Sequence, residues 1–353
     1  MAGNRNNLEL LRRFAPGTAL RHAVDLILAQ GTGALIVIGG GSVVEGVSSG
    51  GFPLVKVPFT AQRVAELAKM DGGIVIDTGA EAVLAANIHF VPDSAIPTEE
   101  TGTRHRTAQR LAVQTKRPVL AVSDTRGTAI VYVGKDKHEV QEPEALTARS
   151  NEVLNSMERL RRRVDDAALR LTRFEVDDVV VNRDVVLLLQ RAGLVRRLNI
   201  QLAGLIVQLG GESQLIDLQA QDLVEGVDDL VRTVYADYAK RRPRNLDKIL
   251  SRLDGLSLTE LYDPPLVASE VDLTPLDGTV RPRGLRALER VPRLPDTVRD
   301  ALLSHFKDFH EMLRAPQPEL AQVEGVGRHR ARQLRSYFDR LLESTDLREV
   351  EEG

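Results

Sequence analysis

Residues 8 to about 140 switch repeatedly between two hydrophobic periods. Leu8-Glu9-Leu10-Leu11-Arg12-Arg13-Phe14 gathers its apolar positions on one face of a short helix, which Pro16-Gly17 stops. Leu20 to Gln30 predicts a second helix, and Thr60 to Met70 a third, with Val64, Leu67 and Ala68 on one face. Between them, Ala34 to Gly39 is an uninterrupted apolar run, the pattern of a strand buried on both faces. Ile74 to Asp77 and Ala82 to Ile88 predict a strand pair around the Asp77-Thr78-Gly79-Ala80 turn. Val119 to Ser123 and Thr128 to Val133 predict two more strands. Residues 1–142 are therefore expected to form an α/β domain, a mixed sheet with surrounding helices.

The pattern then changes. Glycine becomes sparse and strand signals vanish. Val153, Met157, Leu160, Val164, Ala167 and Leu171 recur at steps of four and three, a helix stripe close to a coiled-coil seam. Val185 to Leu209 and Leu215 to Lys240 predict two further long helices, and Arg161-Arg162-Arg163 reads as a solvated helix face. Residues 143–280 are expected to be an all-α spine, ending in a linker at about 266–280 marked by Pro264-Pro265 and Pro275. A third domain, 281–353, holds a predicted helix at 296–306 and a last helix opened by Val323-Glu324-Gly325-Val326-Gly327-Arg328-His329-Arg330-Ala331.

Length and composition agree with this division. A chain of 353 residues holds two or three domains. The absence of Cys excludes disulfides and thiolate chemistry. No apolar run approaches the ~20 residues of a membrane span, and the polar stretch Met1 to Asn7 does not resemble a signal peptide. A soluble, cytoplasmic protein without membrane association is expected. Net charge is −3, so the chain as a whole does not advertise nucleic-acid binding, and aromatics at 4% offer few stacking platforms. The charge is uneven, however. Residues 281–340 carry 13 Lys/Arg against 8 Asp/Glu, whereas 341–353 carry one Arg against five acids.

Candidate chemistry concentrates in Glu100-Thr101-Gly102-Thr103-Arg104-His105-Arg106-Thr107. Two arginine forks beside hydroxyl groups suit phosphate oxygens, and the helix expected from Arg106 puts them at a helix N-terminus, where an anion is favoured. Lys69-Met70-Asp71-Gly72-Gly73 leads into the strand at Ile74 and sets a carboxylate beside two glycines, where it can hold a metal ion or a sugar hydroxyl. Gly39-Gly40-Gly41-Ser42 lacks the Gly-Lys-Ser/Thr of a phosphate loop and reads as a hairpin turn. Asp77-Thr78-Gly79 has no second copy, so it reads as a strand connection and not an aspartic-protease site. His89 reads as structural, His105 as orienting or phosphate-facing, and no spacing suggests zinc.

Met70-Asp71-Gly72-Gly73, Ala86-Asn87-Ile88-His89-Phe90-Val91-Pro92-Asp93 and Thr101 to Thr107, in that order, resemble the diadenylate cyclase domain of the DisA-type DNA integrity scanning proteins. The resemblance runs to the C-terminus. One position departs: the family's Asp-Gly-Ala is Asp71-Gly72-Gly73 here, which is expected to loosen the turn. The resemblance implies condensation of two ATP into cyclic di-AMP with release of pyrophosphate. It implies Asp71, Arg104 and Arg106 as catalytic, and Asp71 as ligand to Mg2+ or Mn2+. Gly72, Phe90, Thr103, Arg104, His105, Arg106 and Thr107 would bind ATP. Two ATP molecules facing each other require protomers face to face, and the family suggests an octamer built from such dimers.

The apolar-charged-Gly-apolar-Gly pattern at 323–327 resembles a helix-hairpin-helix DNA-binding module. Gly325, Val326, Gly327, Arg328 and Arg330 are its expected contacts to double-stranded or branched DNA, independent of sequence and dependent on salt. The rival reading is a nucleotide-sensing DNA-binding or recombination factor without cyclase activity.

Overall fold

The computed structural model describes residues 2–241 and 243–352. They fall into two compact units: residues up to Glu152 together with Ala203–Asp217, and Val153–Leu202 together with the chain from Leu218 onward.

In the first unit, helices α1 (Ala2–Arg12) and α2 (Ala19–Ala29) precede strand β1 (Ala34–Ile38). A one-turn helix α3 (Ser42–Glu45), β2 (Ser48–Ser49) and β3 (Phe52–Pro58) follow, then α4 (Ala61–Ala68), β4 (Gly73–Ile76) and β5 (Ala82–Phe90). Helix α5 (Thr103–Thr115), β6 (Val119–Ser123), β7 (Thr128–Val133) and β8 (Asp136–Glu139) complete the sheet and its layers. The strand order is β2-β5-β4-β1-β6-β7-β8, with β3 also paired to β5. β1 and β4 run parallel, and the other pairings among the described residues are antiparallel.

Strand alternation builds two cores. Ile36, Ile38, Ile74, Ile76, Leu120 and Val122 pack with Leu10, Val24, Ile27 and Val64 of the α1, α2 and α4 layer. Val37, Val75, Val119 and Ala121 point the other way, onto Ala108, Leu111 and Ala112 of α5. Each fully buried isoleucine contributes about 1.5–3 kcal/mol relative to exposure, so the sheet is fixed from both faces.

The expected mixed sheet is present, with three strands beyond the expectation, the two-residue β2 among them. β8 reads Asp-Lys-His-Glu and is mostly exposed, and β3 carries two prolines on a sheet edge; such strands give little hydrophobic signal. Gly39-Gly40-Gly41-Ser42 is not a hairpin turn, because β1 pairs with β4 and β6 and Gly41 instead opens α3. Asp77 is a strand connection: its carboxylate accepts from the N–H groups of Gly79, Glu81 and Ala82 at 3.2, 2.7 and 2.8 Å.

In the second unit, Leu160, Val164, Ala167 and Leu171 of α6 (Pro143–Asp177) pack with Val185, Leu188, Leu189 and Ala192 of α7 (Asn182–Leu209). The expected third long helix is two, α8 (Gln214–Val224) and α9 (Val227–Tyr238), separated where Gly226 adopts φ 69°. The expected linker holds a helix, Pro264–Glu270, whose Val267 and Ala268 join the core; proline at its first turn costs no hydrogen bond there. Arg161 is more than a solvated face, since it donates to Asp165 and to the carbonyls of Leu223 and Glu225. Helices Asp296–His305, Phe309–Arg314, Gln317–Leu320 and Arg328–Glu352 surround Leu302, Phe309, Met312, Leu334 and Phe338.

Four polar side chains are buried where these helices meet the spine: Glu175, Asp237, Tyr238 and Arg286. Arg286 pairs with Glu175, and Tyr238 Oη donates to Glu175 Oε1 at 2.5 Å. Asp237 accepts from the N–H groups of Gly284, Leu285 and Arg286 at 2.9, 2.6 and 2.8 Å, closing the start of the helix Leu285–Glu289. Burial and the nearby Glu175 push Asp237 up to about 7 against these N–H groups. Arg286→Met keeps much of the volume but strands Glu175 without its cation. Urea unfolding followed by circular dichroism should show a loss of about 3–5 kcal/mol in this unit. A loss below about 1 kcal/mol would show that Glu175 does not depend on Arg286.

Candidate active site

Helix α4 ends with Lys69 as its C-cap, and the chain turns through Asp71 into β4. Asp71 has φ 52°, a left-handed conformation that Asp tolerates better than most residues. Its side chain is 98% exposed. Gly72 runs hard against β5: a Cβ there would lie 2.5 Å from Cα and Oδ1 of Asn87. Asn87 itself has φ 55°, in the stretch where the β4–β5 register shifts, and such a bulge re-aims the strand locally. A Cβ on Gly73 would lie 2.1 Å from Phe90 Cε2. The expected loosening at Gly73 is therefore absent, because the Phe90 ring fills the space.

Helix α5 opens at Thr103, three residues before the expected start. Its N-cap, Gly102, brings no side-chain acceptor, so the first-turn N–H groups remain for an anion. The Arg104 guanidinium lies against the backbone of Gly33, where a Cβ would sit 2.0 Å from Nη1. From there Arg104 is 3.9 Å from the carboxylates of both Asp71 and Asp124, and it donates to the Val122 carbonyl at 3.4 Å. Two acids at that distance steer the guanidinium without capping its fork.

Asp71, Thr103, Arg104 and Thr107 form the polar side of a cleft of about 310 Å³; Leu35, Ile88 and Phe90 form its apolar wall, and Gly33, Gly72 and Gly73 bring backbone to its surface. Of the sequence-predicted residues, Asp71, Gly72, Phe90, Thr103, Arg104 and Thr107 thus line one cavity. His105 and Arg106 do not line it. The His105 ring turns into the core, 3% exposed, with Nδ1 3.1 Å from Tyr132 Oη. Burial lowers its pKa, opposed by Glu100 and aided by Arg126, Arg104 and Lys137. Arg106 faces solvent. His89, expected to be structural, is exposed and lines the cleft.

Three positions here lie outside the sequence reading. Gly33 had one signal, a glycine just ahead of a buried strand. Asn87 lies within the quoted motifs, but its left-handed backbone depends on the bulge. Asp124 had none, since its approach to Arg104 follows from the sheet order that sets β6 beside β1.

Among the described residues, no group of three or more His, Asp or Glu could hold a metal ion. Asp71 alone supplies a carboxylate to the cleft lining. That fits a divalent ion arriving on substrate phosphates, which needs only one or two protein carboxylates.

In the C-terminal part, Gly325 has φ 78°, Val326 is buried, and Gly327 has open space around its Cα. Arg328, the first residue of the final helix, is exposed, whereas Arg330 donates back to the Gly325 carbonyl. No helix among the described residues is long and apolar enough to cross a membrane.

Residues 21–137 match the family described as DisA bacterial checkpoint controller nucleotide-binding, and residues 140–275 match the DisA bacterial checkpoint controller linker region. The DNA integrity scanning protein DisA of Acidothermus cellulolyticus is 41% identical over 96% of this chain and 93% of its own. The DisA of Streptomyces coelicolor is 40% identical over 96% and 92%, and that of Kineococcus radiotolerans 41% over 96% and 97%. With two family matches on successive segments and this identity along nearly the whole of each relative, the chain belongs to the DisA family.

Proposed function

We propose that this protein is a diadenylate cyclase that condenses two ATP into cyclic di-AMP with release of two pyrophosphates, and that its C-terminal hairpin binds DNA. The observation that carries the first part is the convergence of Asp71, the uncapped start of α5 and Arg104 on one cleft. The names of the relatives, DNA integrity scanning proteins, support the second. The division of labour would follow 1–142 for chemistry, 143–280 as spine and 281–353, with a helix-hairpin-helix, for DNA.

In this reading the adenine lies against Phe90 and the Gly72 backbone. The triphosphate runs to Thr103, Arg104, Thr107 and the first-turn N–H groups of α5, which stabilise the charge that grows on the leaving pyrophosphate. Asp71 orients the ribose 3′-hydroxyl and would hold the divalent ion, Mg2+ or Mn2+. When bound, that ion supplies positive charge against the phosphates. Each 3′-oxygen forms a bond to the α-phosphorus of the other ATP, the bond from that phosphorus to the β-phosphate bridge breaks, and the hydroxyl proton passes to Asp71 or solvent. Two protomers face to face use one set of residues twice, so a homo-oligomer, an octamer built from such dimers, is the proposed assembly. Arg106 is outside the lining and exposed, which leaves it free to meet the second nucleotide's phosphates in such a dimer. His105 acts from behind the helix start. The protein works in the cytoplasm and not at a membrane.

Incubation with ATP and either ion, followed by product mass measurement, tests the reading against a DNA-binding factor without cyclase activity. Asp71→Asn keeps the side-chain size and removes its charge; product formation should become undetectable while the fold persists. Turnover at the wild-type rate in that variant would remove Asp71 from the mechanism.

Gly33→Ala touches no proposed substrate contact, but its methyl must displace the Arg104 guanidinium. The rate should fall about 10–100-fold, as expected for a misplacement near 1 Å, with thermal stability nearly unchanged. A fully active Gly33→Ala enzyme would show that the Arg104 position does not matter.

Gly325→Val with Gly327→Val forces a branched side chain onto φ 78° and fills the open approach. Gel shifts with a four-way junction should disappear, with helical content unchanged by circular dichroism. Retained, salt-dependent binding would move the DNA surface elsewhere.

A further inference from the structure

Arg161, Arg162 and Arg163 leave α6 in three directions, because a helix turns successive side chains by about 100°. Arg161 pairs with Asp165, and Arg162 with Glu158. Arg163 has no carboxylate partner among the described residues and instead lines a recess of about 250 Å³ between α6 and α7. Arg170 of α6 and Arg191 of α7 line the same recess, also without a carboxylate partner among the described residues.

Two of these guanidiniums are placed by contacts that leave most of their donors free. Arg191 Nη1 donates to the Arg163 carbonyl at 2.9 Å, which draws the half-buried Arg191 across to α6. The Arg170 guanidinium lies 4.9 Å from the centre of the Phe174 ring, a contact that uses its flat face and not its N–H fork. Arg163 and Arg170 stand on one face of α6, roughly 10 Å apart along its axis, and Arg191 enters from the neighbouring helix. Burial lowers the Arg191 pKa, Arg163 and Arg170 lower it further, and Asp166 opposes them. A guanidinium does not shed its proton in a protein, so the repulsion persists until a negative group answers it. The two carboxylates of the lining do not. Asp184 accepts from the Val181 N–H at 3.2 Å, and Asp166 is exposed on α6.

Size and charge select the ligand. The recess is smaller than the ~300–1,000 Å³ that encloses a whole small molecule, so it takes a compact anion or the charged end of a larger one. Two linked phosphates engage forks spread over two helical turns more fully than one phosphate does. Asp166 and Asp184 interrupt the positive surface, which disfavours a nucleic-acid strand, whose binding needs a run of cations. We infer that Arg163, Arg170 and Arg191 form a binding site in the spine for a diphosphate group, carried by free pyrophosphate or by the end of a nucleoside diphosphate. The site does not depend on the cyclase reading, although that reaction would release such an anion.

Calorimetric titration of the full-length Arg104→Ala protein tests it, since that variant lacks the guanidinium of the α5 cleft. Pyrophosphate should bind, and orthophosphate should bind about tenfold or more weakly. Adding Arg163→Gln or Arg170→Gln, both exposed on α6, should weaken pyrophosphate about tenfold or more, with helical content by circular dichroism unchanged. Adding Asp166→Asn instead should tighten it about two- to fivefold by removing a neighbouring negative charge, a direction that a merely structural cluster would not show. ADP that binds as tightly as pyrophosphate assigns the site to nucleotide ends, and ADP that binds more weakly assigns it to the free anion; both support the diphosphate site. Absence of pyrophosphate binding, equal affinity for orthophosphate, or unchanged affinity in the two glutamine variants overturns it. Duplex DNA binding that is lost in those variants while pyrophosphate fails to bind makes the surface a nucleic-acid contact and overturns it as well.

Discussion

The cleft depends on backbone standing where side chains usually stand. Arg104 rests on Gly33, Asn87 on Gly72 and Phe90 on Gly73, and a single methyl at any of the three would fall at 2.5 Å or less from its neighbour. These contacts tie three strands to one helix start: β1 through Gly33 just before it, β4 through Gly72 and Gly73, and β5 through Asn87 and Phe90, with α5 joined through Arg104. The sheet order makes this possible, because the parallel β1–β4 pair sets the turn before each strand side by side at one end of the sheet. A carboxylate then converges on a guanidinium and a helix N-terminus that lie more than 30 residues further along the sequence.

That convergence also explains how a concentration of cations is tolerated. Arg104 has Asp71 and Asp124 at equal distance and no close pair, so it is held by field and not by a bidentate bond. A tight pair would have to be broken by every incoming phosphate. Behind it, burial lowers the His105 pKa and favours the neutral ring, so the helix start carries one positive charge fewer than it would with an imidazolium. Positive charge therefore stays on the arginines, which face the cleft or solvent, and is removed from the buried ring between them.

The α/β layer was legible from periodicity alone, since Ile36, Ile38, Ile74 and Ile76 lie in runs that only a doubly covered sheet can bury. The polar edge strand β8 was not, because edge strands bury too little to leave a pattern. In the spine, the stripe from Val153 to Leu171 announced α6, but the break at Gly226 hid inside an otherwise continuous apolar repeat. For the site, sequence marked the residues and not their direction. His105 sits between two arginines in sequence, yet a helix turns successive side chains by about 100°, so Arg104 faces the cleft, His105 the core and Arg106 solvent. Asp124 and Gly33 matter only through neighbours that the sheet supplies.

Both anion sites of the proposed function use the same device: a helix N-terminus preceded by glycine, with backbone donors exposed and arginine beside them. What surrounds each device separates their chemistry. At α5 the start is braced from below by a buried histidine and from the side by a strand turn, so donors point at fixed positions, as transition-state stabilisation requires. At Arg328 the glycine has open space and Arg328 is exposed, which suits a backbone phosphate that must slide and dissociate. The buried pair of Glu175 and Arg286, with Asp237 closing the helix Leu285–Glu289, ties that helix to α6 and α9. Because those charges have no water to turn to, displacing that helix would expose or strand an ion.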